Sequence, residues 1–157
     1  NDRRASCERV AKVLGQEFLR GATMERLDAI RDEISDEDYR RARFVIGEER
    51  RVLDVCDALQ AGDCETVGKK MYETHDGLSK DYEVSCEELD YLNDIAKECG
   101  VTGSRIMGGG FGGCTINLVK DELYDNFIET AKKKFNEKYG HEPVVYPVVI
   151  SDGAHKC

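Results

Sequence analysis

The stretch that decides the fold reads Val101-Thr102-Gly103-Ser104-Arg105-Ile106-Met107, then Gly108-Gly109-Gly110-Phe111-Gly112-Gly113, then Cys114-Thr115-Ile116-Asn117-Leu118-Val119. The segment from Val101 to Met107 reads as a strand. In the third segment Cys114, Ile116 and Leu118 alternate with Thr115 and Asn117, the period of two expected of a half-buried strand. Five glycines in six positions join the two. They do not serve stability, because each costs about 0.5–1 kcal/mol relative to alanine when ordered in a helix or strand. What they provide is backbone that takes positive φ and lets a ligand or another segment come close. Successive N–H groups in such a loop can form a concavity for an anion. Two roles therefore stand side by side: a phosphate-proximal wall, or a tight loop for close backbone packing. The loop lacks a Gly-Lys-Ser/Thr ending and runs strand to strand, so it is neither a Walker A loop nor a dinucleotide fingerprint. Phe111, inside the run, is expected to plug the core rather than to act as a stacking platform.

Outward toward the C-terminus, residues 122–139 carry Leu123, Phe127, Ile128, Ala131 and Phe135 at helical spacing, with Gly140 as the stop. Val144, Val145, Tyr146, Val148, Val149 and Ile150 then predict a last strand, and Pro147 gives it an edge position or a bulge. Outward toward the N-terminus the chain is helical. Residues 3–19 form one helix stopped near Gly21, and residues 23–31 a short second one. A long helix starts at Ser35, whose Ser35-Asp36-Glu37-Asp38 resembles a capping box. Its apolar stripe is Ala42, Val45, Ile46, Leu53, Cys56 and Leu59, with Arg40, Arg41, Arg43, Arg50 and Arg51 mostly off it. Asp63 caps the next helix. Ser85-Cys86-Glu87-Glu88 is a cleaner capping box for the helix that ends before Gly100. Helices followed by strand, strand, helix and strand predict an α+β fold, helices packed on a mainly antiparallel sheet.

The chain has 157 residues, 40% hydrophobic and 35% charged, enough for one core and one domain. No stretch approaches the ~18 apolar residues of a membrane span. The start, Asn1-Asp2-Arg3-Arg4, shows no signal-peptide run. The net charge is −9, and the basic clusters Arg40-Arg41-Ala42-Arg43 and Lys132-Lys133-Lys134 are short. They read as solvated helix faces, so no nucleic-acid partner is expected. Seven cysteines without Cys-x-x-Cys spacing argue against a zinc ribbon or a disulfide framework and fit a reducing cytoplasm. His75, His141 and His155 lie too far apart in sequence for a metal-type repeat. His75 is expected to be a hydrogen-bonded structural histidine, and Asp152 to fix a turn.

Residues 103–115 resemble the third sequence motif of the galactokinases, within the superfamily of galacto-, homoserine, mevalonate and phosphomevalonate kinases. The resemblance extends over nearly the whole chain. Arg3-Arg4-Ala5-Ser6-Cys7 is similar to the Arg-Arg-x-x-Cys segment that opens that family's C-terminal half. Arg40-Arg41-Ala42-Arg43-Phe44-Val45 is similar to its Arg-Ala-Arg-His-Val stretch, with Phe44 in place of His. The segment Asp81-Tyr82-Glu83-Val84-Ser85-Cys86-Glu87-Glu88-Leu89-Asp90 matches a further motif, and Ser151-Asp152-Gly153-Ala154 a terminal one. Met107 departs from the threonine that often precedes the glycines.

The resemblance implies a ferredoxin-like, mainly antiparallel sheet with several added helices. It implies one C-terminal kinase domain over residues 1–157, helical over about 3–100 and sheet-rich over about 101–157. The parent would transfer the γ-phosphoryl group of ATP, with Mg2+, to the anomeric hydroxyl of galactose, giving galactose 1-phosphate in the cytoplasm. Gly108, Gly109, Gly110, Phe111, Gly112 and Gly113 would line the place where phosphate and sugar meet. No catalytic residue and no metal ligand falls in this chain. Those belong to an N-terminal catalytic and nucleotide-binding domain whose motifs are absent here, and even that family's sugar-contacting Tyr would fall just before Asn1. The chain is thus expected to be inactive alone, to have its own N-terminal domain as partner, and to self-associate artificially through the face that partner would cover. Two alternatives remain: a kinase of the same superfamily acting on another small alcohol, and a non-catalytic, sugar-responsive regulator. The matches at 81–90 and 151–154 favour galactokinase over the first.

Overall fold

The computed structural model describes residues 2–151 and 153. The elements run α1 (Asp2–Val13), α2 (Met24–Ala29), a 3-10 turn (Arg31–Glu33), α3 (Asp36–Gln60), α4 (Cys64–Lys80), α5 (Glu87–Glu98), β1 (Gly103–Met107), β2 (Cys114–Leu118) and α6 (Asp121–Tyr139). The fold is α+β: an antiparallel strand pair carried on a mainly helical body.

α1 stops earlier than its sequence pattern suggests. Gly15 takes φ +69°, and the N–H of Gln16 donates to Ala11 O at 2.8 Å while that of Gly15 donates to Lys12 O at 3.1 Å. This left-handed closure satisfies the last carbonyls and ends the helix there, not at Gly21. The same pair of hydrogen bonds closes α3 at Gly62 and α5 at Gly100. Ser35 caps α3, accepting the Asp38 N–H at 3.1 Å, and Asp63 caps α4, accepting the Thr66 N–H at 2.9 Å. The expected Ser85 cap is replaced by Cys86 at the N-cap position, because the Ser85 hydroxyl donates instead to the Asp90 carboxylate.

Two cores result. One gathers Val10, Ala11, Leu14, Leu19, Ala22, Leu27, Ala42 and Ile46 from α1, α2, α3 and the loop between the first two. The other joins Ile95, Ala96 and Val101 to Phe127 and Ala131 of α6. Only the first half of the α3 stripe reaches a core. Beyond it Val52, Leu53, Cys56 and Leu59 are exposed, and α4 packs instead on the neighbouring face, where Ala58 is buried and Asp54 meets Lys70.

β1 and β2 pair from Gly103↔Leu118 to Met107↔Cys114. α4 lies directly on β1: a Cβ on Gly68 would stand 1.9 Å from Thr102 O. On another side, buried Asn93 of α5 donates through Nδ2 to Ser104 O at 2.9 Å. The expected last strand is not formed. Residues 144–150 have no ladder partner among the described residues and are exposed, up to 98% at Ile150. A strand needs a neighbour's N–H and C=O groups, and an apolar sequence pattern cannot supply them. Among the described residues no helix is long and apolar enough to cross a membrane.

Candidate functional site

The glycine run forms the β1–β2 connection and lies at the surface, not in a sealed core. Gly108, Gly110, Gly112 and Gly113 take φ of +82°, +78°, +119° and +97°, and Phe111 takes +60°. The loop folds back onto the turn between α4 and α5. There the Phe111 N–H donates to Val84 O at 2.7 Å. Gly110 comes so close that a Cβ on it would sit 2.2 Å from the same oxygen. The structure thus shows close backbone packing on the inner face of the run, while its outer face is backbone with few side chains.

Phe111 does not plug the core. It is 68% exposed, and the Arg3 guanidinium lies 5.4 Å from its ring centroid. Its backbone is what is anchored, and φ +60° turns its side chain outward.

Three separated motifs converge beneath the loop. Arg3 of α1 donates from Nε to Tyr82 O at 3.0 Å and from Nη2 to Glu83 O at 2.6 Å. Arg40 and Arg41 of α3 reach the Glu83 carboxylate at 3.0 and 3.3 Å. Arg41 also donates to Ser6 Oγ at 3.0 Å and pairs with Glu37. Arg41 corrects the expectation of a solvated basic face: it is 5% exposed, clamped between α1 and the α4–α5 turn. Glu83 is held below the usual carboxylate range by the hydrogen bond from Arg41 and by the charge of Arg40. Its backbone sits at φ +54°, uncommon for a residue with a Cβ. Beside this hub Tyr82 packs on Phe44 with ring centroids 5.3 Å apart, and burial pushes its phenol up to about 12.

His75 is structural, as its sequence setting suggests. It is 3% exposed, and its Nε2 lies 3.1 Å from Asp90 Oδ1. Burial lowers its pKa despite the opposing charge of Asp90. Met107 is exposed beside the loop. Asp152 and Ala154 lie outside the described residues, so their turn is not described. Among the described residues no cluster of three or more His, Cys, Asp or Glu side chains has the geometry to hold a metal ion. Sequence reasoning missed Glu83 as a hub. The only available signal was that Arg3, Arg40, Arg41 and Glu83 each stand in a motif of the same family, and the distances among them were not readable.

Comparison with known proteins fits this geometry. Residues 56–138 match the family model described as GHMP kinases C terminal. The chain is 45% identical over 153 residues to the galactokinase of Homo sapiens, covering 97% of this chain and 38% of that protein. It is 44% identical over 162 residues to the galactokinase of Clostridium acetobutylicum, covering 99% of this chain and 42% of that protein. A solved structure of Lactococcus lactis galactokinase complexed with galactose superposes with a TM-score of 0.80 at 32% identity, over 89% of this chain and 37% of that one. The chain thus spans about two fifths of the length of the curated relatives it matches. With its glycine loop seated on the α4–α5 turn and the family model covering more than half of its length, this chain belongs to the GHMP kinases, as their C-terminal region.

Proposed function

We propose that the chain is the C-terminal domain of a galactokinase, one domain with a helical part over about 3–100 and a second part over about 101–157 that carries the hairpin and the last helix. The parent enzyme moves the γ-phosphoryl group of ATP to the anomeric hydroxyl of galactose in the cytoplasm. The observation that carries this reading is identity above 40% to galactokinases along nearly the entire chain, glycine loop included.

The residues present fit part of that chemistry. Across the loop of Gly108, Gly109, Gly110, Phe111, Gly112 and Gly113 side-chain cover is slight; the Phe111 N–H is spent on Val84 O, and the glycine N–H groups are the donors suited to anionic phosphoryl oxygens. ATP supplies the transferable group when bound. The loop's task is to position and to complement charge, and phosphoryl transfer depends mainly on those two effects. The Mg2+ ligands are assigned to the N-terminal domain of the parent; among the described residues no group of three or more His, Cys, Asp or Glu side chains has metal-binding geometry. The catalytic base and the nucleotide loop are assigned to that same domain, this chain's proposed partner.

The test is direct. The full-length parent, given Mg·ATP and galactose, yields galactose 1-phosphate, and this chain alone yields none. Galactose-dependent ATP turnover by the chain alone overturns the division of labour. A parent that prefers a non-sugar alcohol overturns the substrate.

A further inference from the structure

We propose that Glu83 is a positioning residue: by gathering Arg40 and Arg41 onto its carboxylate and Arg3 onto its carbonyl, it holds the α4–α5 turn as the seat of the glycine loop. The consequence for turnover rests on the galactokinase reading above; the consequence for loop order does not.

The seat is built from main-chain atoms. Tyr82 O and Glu83 O both accept from Arg3, and the next carbonyl, Val84 O, accepts the Phe111 N–H. The Val84 N–H donates back to Leu78 O at 2.9 Å, which ties the turn to the end of α4. Between them Glu83 stands at φ +54°. A residue with a Cβ held there is strained and persists only where its surroundings fix it. Here they do so through two helices at once. Arg3 arrives from α1, and Arg40 and Arg41 from α3.

The hub is separate from both cores. Glu83 belongs to neither apolar cluster and is exposed. Its carboxylate is therefore not needed to bury apolar surface. Without it Arg41, already buried, keeps only Ser6 and Glu37, and the turn loses the charge that balances two guanidiniums. Relaxation of the left-handed residue carries Val84 O away from Phe111, and the loop loses its anchor.

The experiment compares the full-length parent with its Glu83→Ala, Glu83→Gln and Glu83→Asp variants. Amide hydrogen exchange is read at Phe111 and at Ile95 of α5, with kcat and KM for ATP measured alongside. Glu83→Ala and Glu83→Gln are expected to speed Phe111 exchange by about tenfold or more while Ile95 keeps its protection. Glu83→Asp, which keeps the charge, is expected to restore most of the Phe111 protection. kcat is expected to fall about tenfold with KM for ATP moving less than about twofold, the pattern of a misplaced wall rather than of lost binding. Unchanged Phe111 exchange in both the Ala and Gln variants overturns the proposal. So does equal loosening at Phe111 and Ile95, which marks general destabilisation. A wild-type parent inactive on galactose counts against the functional reading alone, and the exchange comparison still decides the hub.

Discussion

At Gly110 an added methyl meets Val84 O at 2.2 Å with the backbone at φ +78°, whereas at Gly109 it meets nothing within 4 Å and the backbone is not left-handed. Two glycines one position apart therefore carry different duties. Gly110→Ala in the parent is expected to lower kcat at least about tenfold, since a misplacement near 1 Å is enough for such losses. Gly109→Ala is expected to stay within about twofold of wild type, because nothing has to move. Equal effects in a steady-state assay would show that crowding against Val84 does not set the loop. A second residue is as exacting. Phe44 is buried over Gly77, where a Cβ would lie 2.5 Å from its ring, and it stacks on Tyr82. Phe44→Ala should cost about 3–5 kcal/mol of stability, read as a lowered urea midpoint. The glycine run announced itself in the sequence, but not which of its members touches the turn. Arg41 was misread for a physical reason: arginine is mostly exposed, and only the packing of α1 and the α4–α5 turn against α3 buries this one.

Among the elements, the start of α3 joins capping to an ion pair whose carboxylate is buried and whose guanidinium is exposed. Ser35 caps the helix, and Asp38 in its first turn receives Arg9 of α1 at 2.9 and 2.6 Å. The Arg9 hydrogen bond, with further help from Ser6 and Ser35, holds Asp38 below the usual carboxylate range. A carboxyl whose folded pKa is depressed releases its proton more readily in the native state. Its stabilisation is complete above the unfolded value near ~3.9 and is lost as pH falls through the lower folded value. Asp38→Asn is expected to cost about 1–3 kcal/mol at neutral pH. In urea titrations the gap from wild type should close as the pH drops below the ordinary carboxylate range. A gap that persists in acid would mean that packing, not charge, holds α1 to α3. Local signals of this kind were the most legible: Ser35, Asp63, Gly62, Gly100 and Gly140 stop or start helices where their chemistry predicts. Ser85 failed as a cap because Asp90, a local neighbour in the helix that follows, claims its hydroxyl, and the residue pattern alone does not say which of two nearby partners that hydroxyl takes. The same limit hid the early stop of α1. Gly15 and Gly21 are both glycines at φ near +70°, and only the first receives the double hydrogen-bond closure.

For the molecule as a whole, the helices and the hairpin were readable because each carries its own period and its own caps. The last predicted strand was not, because a strand is a relation between two segments. Residues 144–150 carry the apolar and β-branched pattern, yet Val148, Val149 and Ile150 are 77%, 87% and 98% exposed. The edge of β2 away from β1 likewise carries no strand among the described residues. An exposed apolar, β-branched segment and an open edge on one molecule form a template for pairing with a second copy. The net charge of −9 opposes indiscriminate clumping, and Pro147 removes one ladder donor, so the expected product is a small oligomer rather than a fibre. The 157-residue chain should therefore sediment with a coefficient that rises with concentration. Val149→Lys, which places a charge in the middle of the exposed run, should return it to one slow species, since an edge charge is the ordinary block to strand addition. In the full-length parent, where the N-terminal domain is proposed to cover this face, the wild-type sequence should sediment independently of concentration. A 157-residue chain that stays monomeric across the same range would show that its exposed tail does not pair, and would remove the physical ground for assigning that tail to an interface.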